Sequence, residues 1–241
     1  MKRILLDKLA PAGHLVEPGP EEIRHLQAAR RVKEGEELEL LDGLGGLALG
    51  RVEQVAKRIL KIRVIKHLEL CRESSLHLDV VLAIPAQSST FDAVLPGLVQ
   101  LGVNSIQLVP TTWSGRIKKD PERYLDRLNN IAMQSLKQCG RARPPQLGFA
   151  EDWPTLCARF ASRCEINLVF HPGRSQQESL TGAPKSLGLL IGAEAGFTEE
   201  EVDEAVALGL LTHSLGPRIL KMETAVIGAC FWAQAQFGDL L

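Results

Sequence analysis

The chain of 241 residues has little that would staple or anchor a protein from outside its own core. Its five cysteines, Cys71, Cys139, Cys157, Cys164 and Cys230, are odd in number and scattered, with no Cys-x-x-Cys pair. That pattern argues against a disulfide framework and a structural zinc site, and points to thiols acting as small buried hydrophobes. No apolar run approaches the roughly 18 residues of a membrane span; the longest useful one, Val226 to Ala233, has the size of a helix core. The first residues, MKRILLDKLAPAGH, show no signal-peptide core or small-residue cleavage pattern, so a cytoplasmic protein is expected. Gly-Lys-Ser/Thr is absent, and Asp42-Gly-Leu-Gly-Gly has the wrong spacing for a dinucleotide fingerprint, which leaves P-loop and Rossmann-type binding unsupported. A dominant charge is lacking too: 28 Lys+Arg against 29 Asp+Glu, with 45% hydrophobic residues, is an ordinary globular balance that excludes disorder and fibrous folds.

What is present is unevenly distributed. Residues 1–68 carry 13 basic against 10 acidic groups, net +3, so the rest, with 15 against 19, is net −4. Within the acidic part, Arg116 to Arg143 holds 8 basic residues against 3 acidic ones. Such a cluster serves either as a phosphate-gripping face or as a solvated helix face.

The first 68 residues read as short strands: Lys2–Leu6, then Leu38–Leu41 leading through Asp42-Gly43, a hairpin signal, to Leu47–Val55 and Ile59–Ile65. A helix near Pro20–Arg31 interrupts them, with Glu21 and Glu22 in its first turn. From about His77 strands alternate with helices: strand Val80–Ile84, helix Ser88–Leu101 with an internal Pro96, strand Ser105–Val109, helix Asp120–Gly140, and strands Ile166–Phe170 and Leu187–Ile191. A capping box at Thr198–Glu201 opens another helix, a strand follows at Leu211–Leu215, and the last helix spans Glu223–Phe237. The expectation is an α/β fold, a parallel sheet covered by helices, preceded by a small β-rich domain at 1–68 and a linker at 69–76, with the main domain at 77–241.

Ligands of such sheets sit at the carboxyl ends of the strands. Three strand ends carry the glycines and prolines that let backbone approach a flat ligand: Phe170-His171-Pro172-Gly173, Ile191-Gly192-Ala193-Glu194-Ala195-Gly196 and Ser214-Leu215-Gly216-Pro217-Arg218. Taken singly, Gly192 and Gly196 also fit a plain strand-to-helix turn.

The third of these continues as Leu215-Gly216-Pro217-Arg218-Ile219-Leu220-Lys221-Met222-Glu223-Thr224-Ala225. It resembles the Leu-Gly-x-Arg-Ile-Leu-Arg-x-Glu-Thr-Ala motif of the bacterial 16S ribosomal RNA uridine N3-methyltransferase family, within the SPOUT superfamily. Leu190 to Thr198 is similar to that family's Ile-Gly-Pro-Glu-Gly-Gly-Phe-Ser, Gln138-Cys139-Gly140-Arg141 to its Gln-Ser-Gly-Arg, and Leu101-Gly102-Val103 to its Leu-Gly-Val. His25-Leu26, Arg31 to Glu36 and Asp42-Gly43 resemble its N-terminal RNA-binding module. Departures stand beside the matches. Ala193 replaces a proline, Ala195 a glycine and Lys221 an arginine; Thr112-Trp113-Ser114 occupies the place of Glu-Arg-Ser, and Gln134 and Lys137 replace glutamates.

The resemblance implies a PUA-like β-barrel at the N-terminus, a C-terminal trefoil knot, an obligate homodimer and no metal. It also implies S-adenosylmethionine as methyl donor and the 16S ribosomal RNA of the small ribosomal subunit as partner. Donor contacts are then expected from Phe170, His171, Leu190, Ile191, Gly192, Glu194, Gly196, Ser214, Leu215, Gly216, Ile219 and Leu220. Methylating N3 of uracil requires loss of its proton, so Arg218 is the candidate for stabilising the developing anion and Glu223 for accepting the proton or orienting Arg218. Those two residues also read as an ion pair bracing the fold, and His171 and His213 are further candidate bases. RNA contacts are expected from Arg3, Arg31, Arg116 and Arg141. An RNA-binding assembly factor that has lost methyl transfer is the alternative, motivated by positions 193, 195 and 221.

Overall fold

The computed structural model describes residues 1–28, 32–56, 58–69, 72–116, 120–175 and 182–240, with backbone alone for 25–28. The chain divides into two compact units: Met1–Glu73 with Met133–Pro144, and Ser74–Ala132 with Pro145–Leu241. The boundary at Glu73 falls inside the expected linker. The return of residues 133–144 to the first unit was not anticipated.

In the first unit five strands form one sheet: β1 (Arg3–Leu5), β2 (Leu15–Val16), β3 (Glu37–Leu41), β4 (Leu47–Ala56) and β5 (Ile59–His67), in the order β1-β3-β4-β5-β2. β1 runs parallel to β3, and the other pairings are antiparallel. The β3–β4 hairpin closes because the Asp42 carboxylate accepts the Leu44 and Gly46 N–H groups at 2.8 Å, while Gly43 and Gly45 take positive φ. Ile4, Leu38, Leu40, Val52, Leu60, Ile62 and Val64 make the core. Helix α1 (Pro20–Ala28) begins at the expected proline; its expected continuation to Arg31 lies outside the described residues. β2, only two residues long, gave no periodic signal.

The second unit holds β6 (His77–Ala83), β7 (Ser105–Val109), β8 (Gln146–Phe149), β9 (Ile166–Phe170), β10 (Ser186–Ile191) and β11 (Leu211–His213), in the order β11-β9-β10-β6-β7-β8. All its pairings are parallel, as the continuous apolar runs implied. The helices are α2 (Ser88–Gln100), α3 (Pro121–Cys139), α4 (Trp153–Phe160), α5 (Glu199–Ala207) and α6 (Met222–Phe237). α3 crosses the unit boundary, its last turns belonging to the first unit. Pro96 stays inside α2, where Gly97 beside it lies under α6: a Cβ there would sit 2.6 Å from Ile227 Cδ1. α4 was overlooked in the sequence although Asp152 caps it, accepting the Thr155 N–H at 2.8 Å. No helix among the described residues is long and apolar enough to cross a membrane.

This strand order positions the site. β9, β10 and β11 are neighbours, so their carboxyl ends emerge side by side. After β10 the chain passes through α5 and returns on the far side of β9 as β11.

Candidate functional site

The three strand ends are tied to one another by backbone and rings. The His171 N–H donates to the His213 carbonyl at 3.0 Å, continuing the β9–β11 ladder beyond its last paired residues. Below it the His213 ring stacks on Trp232 of α6 at 4.5 Å, and Phe170 meets His213 edge-on at 5.4 Å. At the end of β10 the chain folds back at once: Gly196 N–H donates to the Ala193 carbonyl at 2.9 Å, and Gly196 has φ +80°. A Cβ at Gly192 would lie 2.6 Å from the Gly196 carbonyl carbon and 2.7 Å from its Cα, so the turn closes only around glycine. Past β11, Ser214 Oγ donates to the Gly216 carbonyl at 3.2 Å, and Gly216 has φ +99°.

Between these turns lies a cavity of about 290 Å³. Its wall includes Phe170, His171, Ile191, Gly192, Glu194, Gly196, Ser214, Leu215, Gly216, Arg218, Ile219 and Leu220, all expected there, together with Trp113, Phe197, His213, Met222 and Ala225. Glu194 holds its turn in place: its carboxylate accepts the Ala86 N–H at 3.2 Å. The wall thus offers apolar side chains and backbone edges, the composition of a small-molecule pocket.

Two expected residues are elsewhere. Leu190 points into the hydrophobic core with Val81, Val169 and Phe197, because successive strand residues face opposite sides and Ile191 takes the cavity side. Glu223, half-buried in the first turn of α6, is not on the cavity wall. Arg218 is exposed and has no carboxylate partner among the described residues, so the alternative reading of Arg218 and Glu223 as a bracing ion pair is not met.

Two buried ring nitrogens on the wall, Nδ1 of His171 and Nδ1 of His213, lack a hydrogen-bond partner among the described residues. His213 is only 2% exposed, and burial pushes its pKa below the usual histidine range, which keeps it neutral at neutral pH. His171 Nε2 lies 3.7 Å from the Glu199 carboxylate. Three buried thiols are inert by comparison: burial pushes Cys157 and Cys164 up to about 12, and Cys230 higher still. Among the described residues no group of His, Cys, Asp and Glu could hold a metal ion.

The arginines expected on RNA divide. Arg141 is 3% exposed, and its guanidinium is held by the Glu73 carboxylate at 2.7–2.8 Å. Arg3 pairs with Glu39 at 2.7 Å and donates to the carbonyls of Lys137 and Gln138. Both guanidiniums are thus already engaged by carboxylates of the fold, Glu39 buried and Glu73 partly exposed, and gripping a phosphate would compete with those pairs. Arg116 is exposed, with no carboxylate partner among the described residues; Arg31 lies outside them. Trp113 carried a signal that was available: it follows a parallel strand, β7, whose carboxyl end obeys the same rule as the other three.

Residues 72–234 match the RNA methyltransferase domain family, and residues 18–65 the RNA methyltransferase PUA domain. The chain belongs to the RNA methyltransferase family. Among similar proteins, the ribosomal RNA small subunit methyltransferase E of Buchnera aphidicola from Schizaphis graminum is 28% identical over 90% of this chain and 88% of its own. A Legionella pneumophila structure solved with the cofactor SAM superposes with a TM-score of 0.87 at 30% identity, covering 99% of this chain and 98% of that one. The ribosomal RNA small subunit methyltransferase E of Neisseria gonorrhoeae, bound to S-adenosylmethionine, gives 0.88 at 26% identity, with both chains covered completely. In this methyltransferase the matched domain takes in the whole strand-end cavity, from Trp113 to Ala225.

Proposed function

We propose that this methyltransferase transfers a methyl group from S-adenosylmethionine to N3 of a uridine in the 16S RNA of the small ribosomal subunit. The observation that carries this reading is the glycine-lined cavity at three adjacent parallel strand ends, in a chain that shares nearly its full length with relatives solved with that donor. The residues fit such a molecule. Gly192 lets the turn after β10 close, Gly216 leaves open space beside its backbone, apolar walls suit an adenosine, and the two histidine nitrogens without a partner among the described residues offer polar contacts to its hydroxyl or amino acid groups. When bound, the donor supplies an electrophilic sulfonium methyl.

The protein's own task is to prepare N3 of uracil. Losing the N3 proton spreads negative charge over the ring, and Arg218, exposed at the cavity with no carboxylate partner among the described residues, is positioned to hold it. With Glu223 off the cavity wall, proton acceptance in this reading falls to His171, whose Nε2 lies 3.7 Å from the Glu199 carboxylate, itself paired with Arg174. The target base must be unpaired or drawn from its stack, because N3 lies on the pairing edge. The same reading includes a PUA-like barrel in the first unit, a trefoil knot where β10, α5 and β11 succeed one another, a homodimer, and a place in the cytoplasm.

Ala193, Ala195 and Lys221 motivated the binding-only alternative; the cavity stays open around the two alanines, Ala195 is exposed, and Lys221 is exposed and off the cavity wall. Nucleoside mapping by mass spectrometry of ribosomal RNA from a deletion strain tests the proposal. One N3-methyluridine should vanish and return with the wild-type gene; an unchanged modification pattern overturns it.

A further inference from the structure

The chain has three tryptophans, and two of them are matched with another ring. Trp153 lies 4.5 Å from Phe197, and Trp232 stacks on His213 at the same distance. Trp113 has no ring partner among the described residues, is 54% exposed, and lines the strand-end cavity. Leaving a large apolar ring open to water is unfavourable.

The loop under this ring is fixed at every neighbouring residue. Thr111 N–H donates to Ser114 Oγ at 2.8 Å, and Thr112 N–H donates to the Glu201 carboxylate at 2.7 Å. Ser114 N–H returns to the Thr111 carbonyl at 3.2 Å, and Gly115 N–H donates to the Ile84 carbonyl at 2.7 Å. Glu201 is itself buried and locked in the capping box of α5, so the loop is anchored to a rigid partner. A loop this constrained presents its indole in a set position, and little further ordering entropy is lost when a flat ligand settles on it.

We infer that Trp113 is the stacking platform for the target base, holding the extruded uracil ring at the cavity so that N3 faces the donor. The inference rests on the proposed uridine methylation and deepens it. An unpaired pyrimidine has lost its stacking neighbours, and an aromatic face replaces them without reading the pairing edge, which stays free for chemistry.

The test uses full-length Trp113→Ala and Trp113→Phe with small ribosomal subunits from a deletion strain and labelled S-adenosylmethionine. Trp113→Ala should lower kcat/KM for the subunits by about 5- to 150-fold, the range of one lost base stack. Trp113→Phe should recover most of that loss, and donor affinity by calorimetry should be the same in all three proteins. Equal activity of Trp113→Ala and wild type overturns the platform, as does a loss of donor affinity matching the loss of activity, which would put the indole against the donor. A second readout does not depend on methyl transfer. The fluorescence present in wild type and missing in Trp113→Phe should be quenched by a short uridine oligonucleotide and not by its abasic counterpart. If wild type methylates no subunits, the uridine reading has failed; if the abasic strand quenches equally, the platform has failed.

Discussion

In the first unit Arg3, Arg72 and Arg141 each face a carboxylate, Glu39 or Glu73, whereas at the cavity of the second unit Arg218 stands exposed without one among the described residues. The paired use recurs in the second unit away from the cavity, where Arg163 binds the fully buried Asp79 near the amino end of β6. Glu39 shows what pairing achieves. Burial alone would raise its pKa, but hydrogen bonds from Arg72 and Arg3 outweigh that and hold it below the usual carboxylate range. In this chain, then, an arginine's partner separates its roles better than its place in a basic stretch. Arginines already held by a carboxylate of the fold are engaged there, and arginines left without one are open to an anion from outside.

The largest expected effect breaks a pairing. Arg141→Met removes a buried guanidinium from the partly exposed Glu73 carboxylate, which keeps the Ala142 and Arg143 N–H groups, and should cost about 2–3 kcal/mol, read as a lowered urea midpoint. Its RNA affinity should keep the wild-type salt slope as long as the protein is folded. A shallower slope with unchanged stability would restore Arg141 to the RNA surface.

The next effect probes the backbone side of the cavity. Gly192→Ala forces a methyl against the Gly196 backbone, and relieving that contact should misshape the turn. Strain of about 1–3 kcal/mol corresponds to a loss of donor affinity of roughly 5- to 150-fold. Calorimetry with S-adenosylmethionine checks it, and normal affinity would move the donor site elsewhere.

How far such residues could be recognised from sequence depended on the range of the interaction involved. The capping box at Thr198 and Glu201, the strands of the parallel sheet other than β8 and the glycines at 192 and 216 are set by local chemistry, and each was legible; the four-residue β8 was not. Arg141 was not, because Glu73 lies 68 residues away in sequence and only the fold brings it within reach. Leu190 failed for another reason. In a strand covered on both faces no polar residue marks the side, so nothing distinguished the core-facing leucine from the cavity-facing Ile191.

A smaller effect concerns the open cations. Arg116→Ala should remove one phosphate contact and reduce the salt slope of RNA affinity by about 0.7–0.9, depending on whether the RNA is single-stranded or duplex. Stability should stay within about 0.5 kcal/mol of wild type, as for other surface changes. An identical slope would class Arg116 as a solvated surface charge.

The smallest effect is a pH dependence from His213. Its folded pKa is lowered, so below the ordinary histidine value of about 6.5 the unfolded chain binds a proton that the folded chain resists. The stability contributed by the neutral ring is fully present above that pH and declines as the pH falls towards the folded value. Urea midpoints at pH 7.5 and about pH 5.5 should therefore differ less in His213→Asn than in wild type; an equal difference would show that the ring is as readily protonated in the fold as out of it.

The grouping of residues 133–144 with the first unit has a consequence for inheritance. Lys137 pairs with Glu22, Arg141 with Glu73, and Leu136 is fully buried, so a gene segment ending at codon 73 encodes an unfinished body whose last part is written sixty codons downstream. Neither unit is a contiguous cassette. Recombination at the apparent linker would leave the first unit without residues 133–144, so that unit is not inherited whole as a single upstream segment.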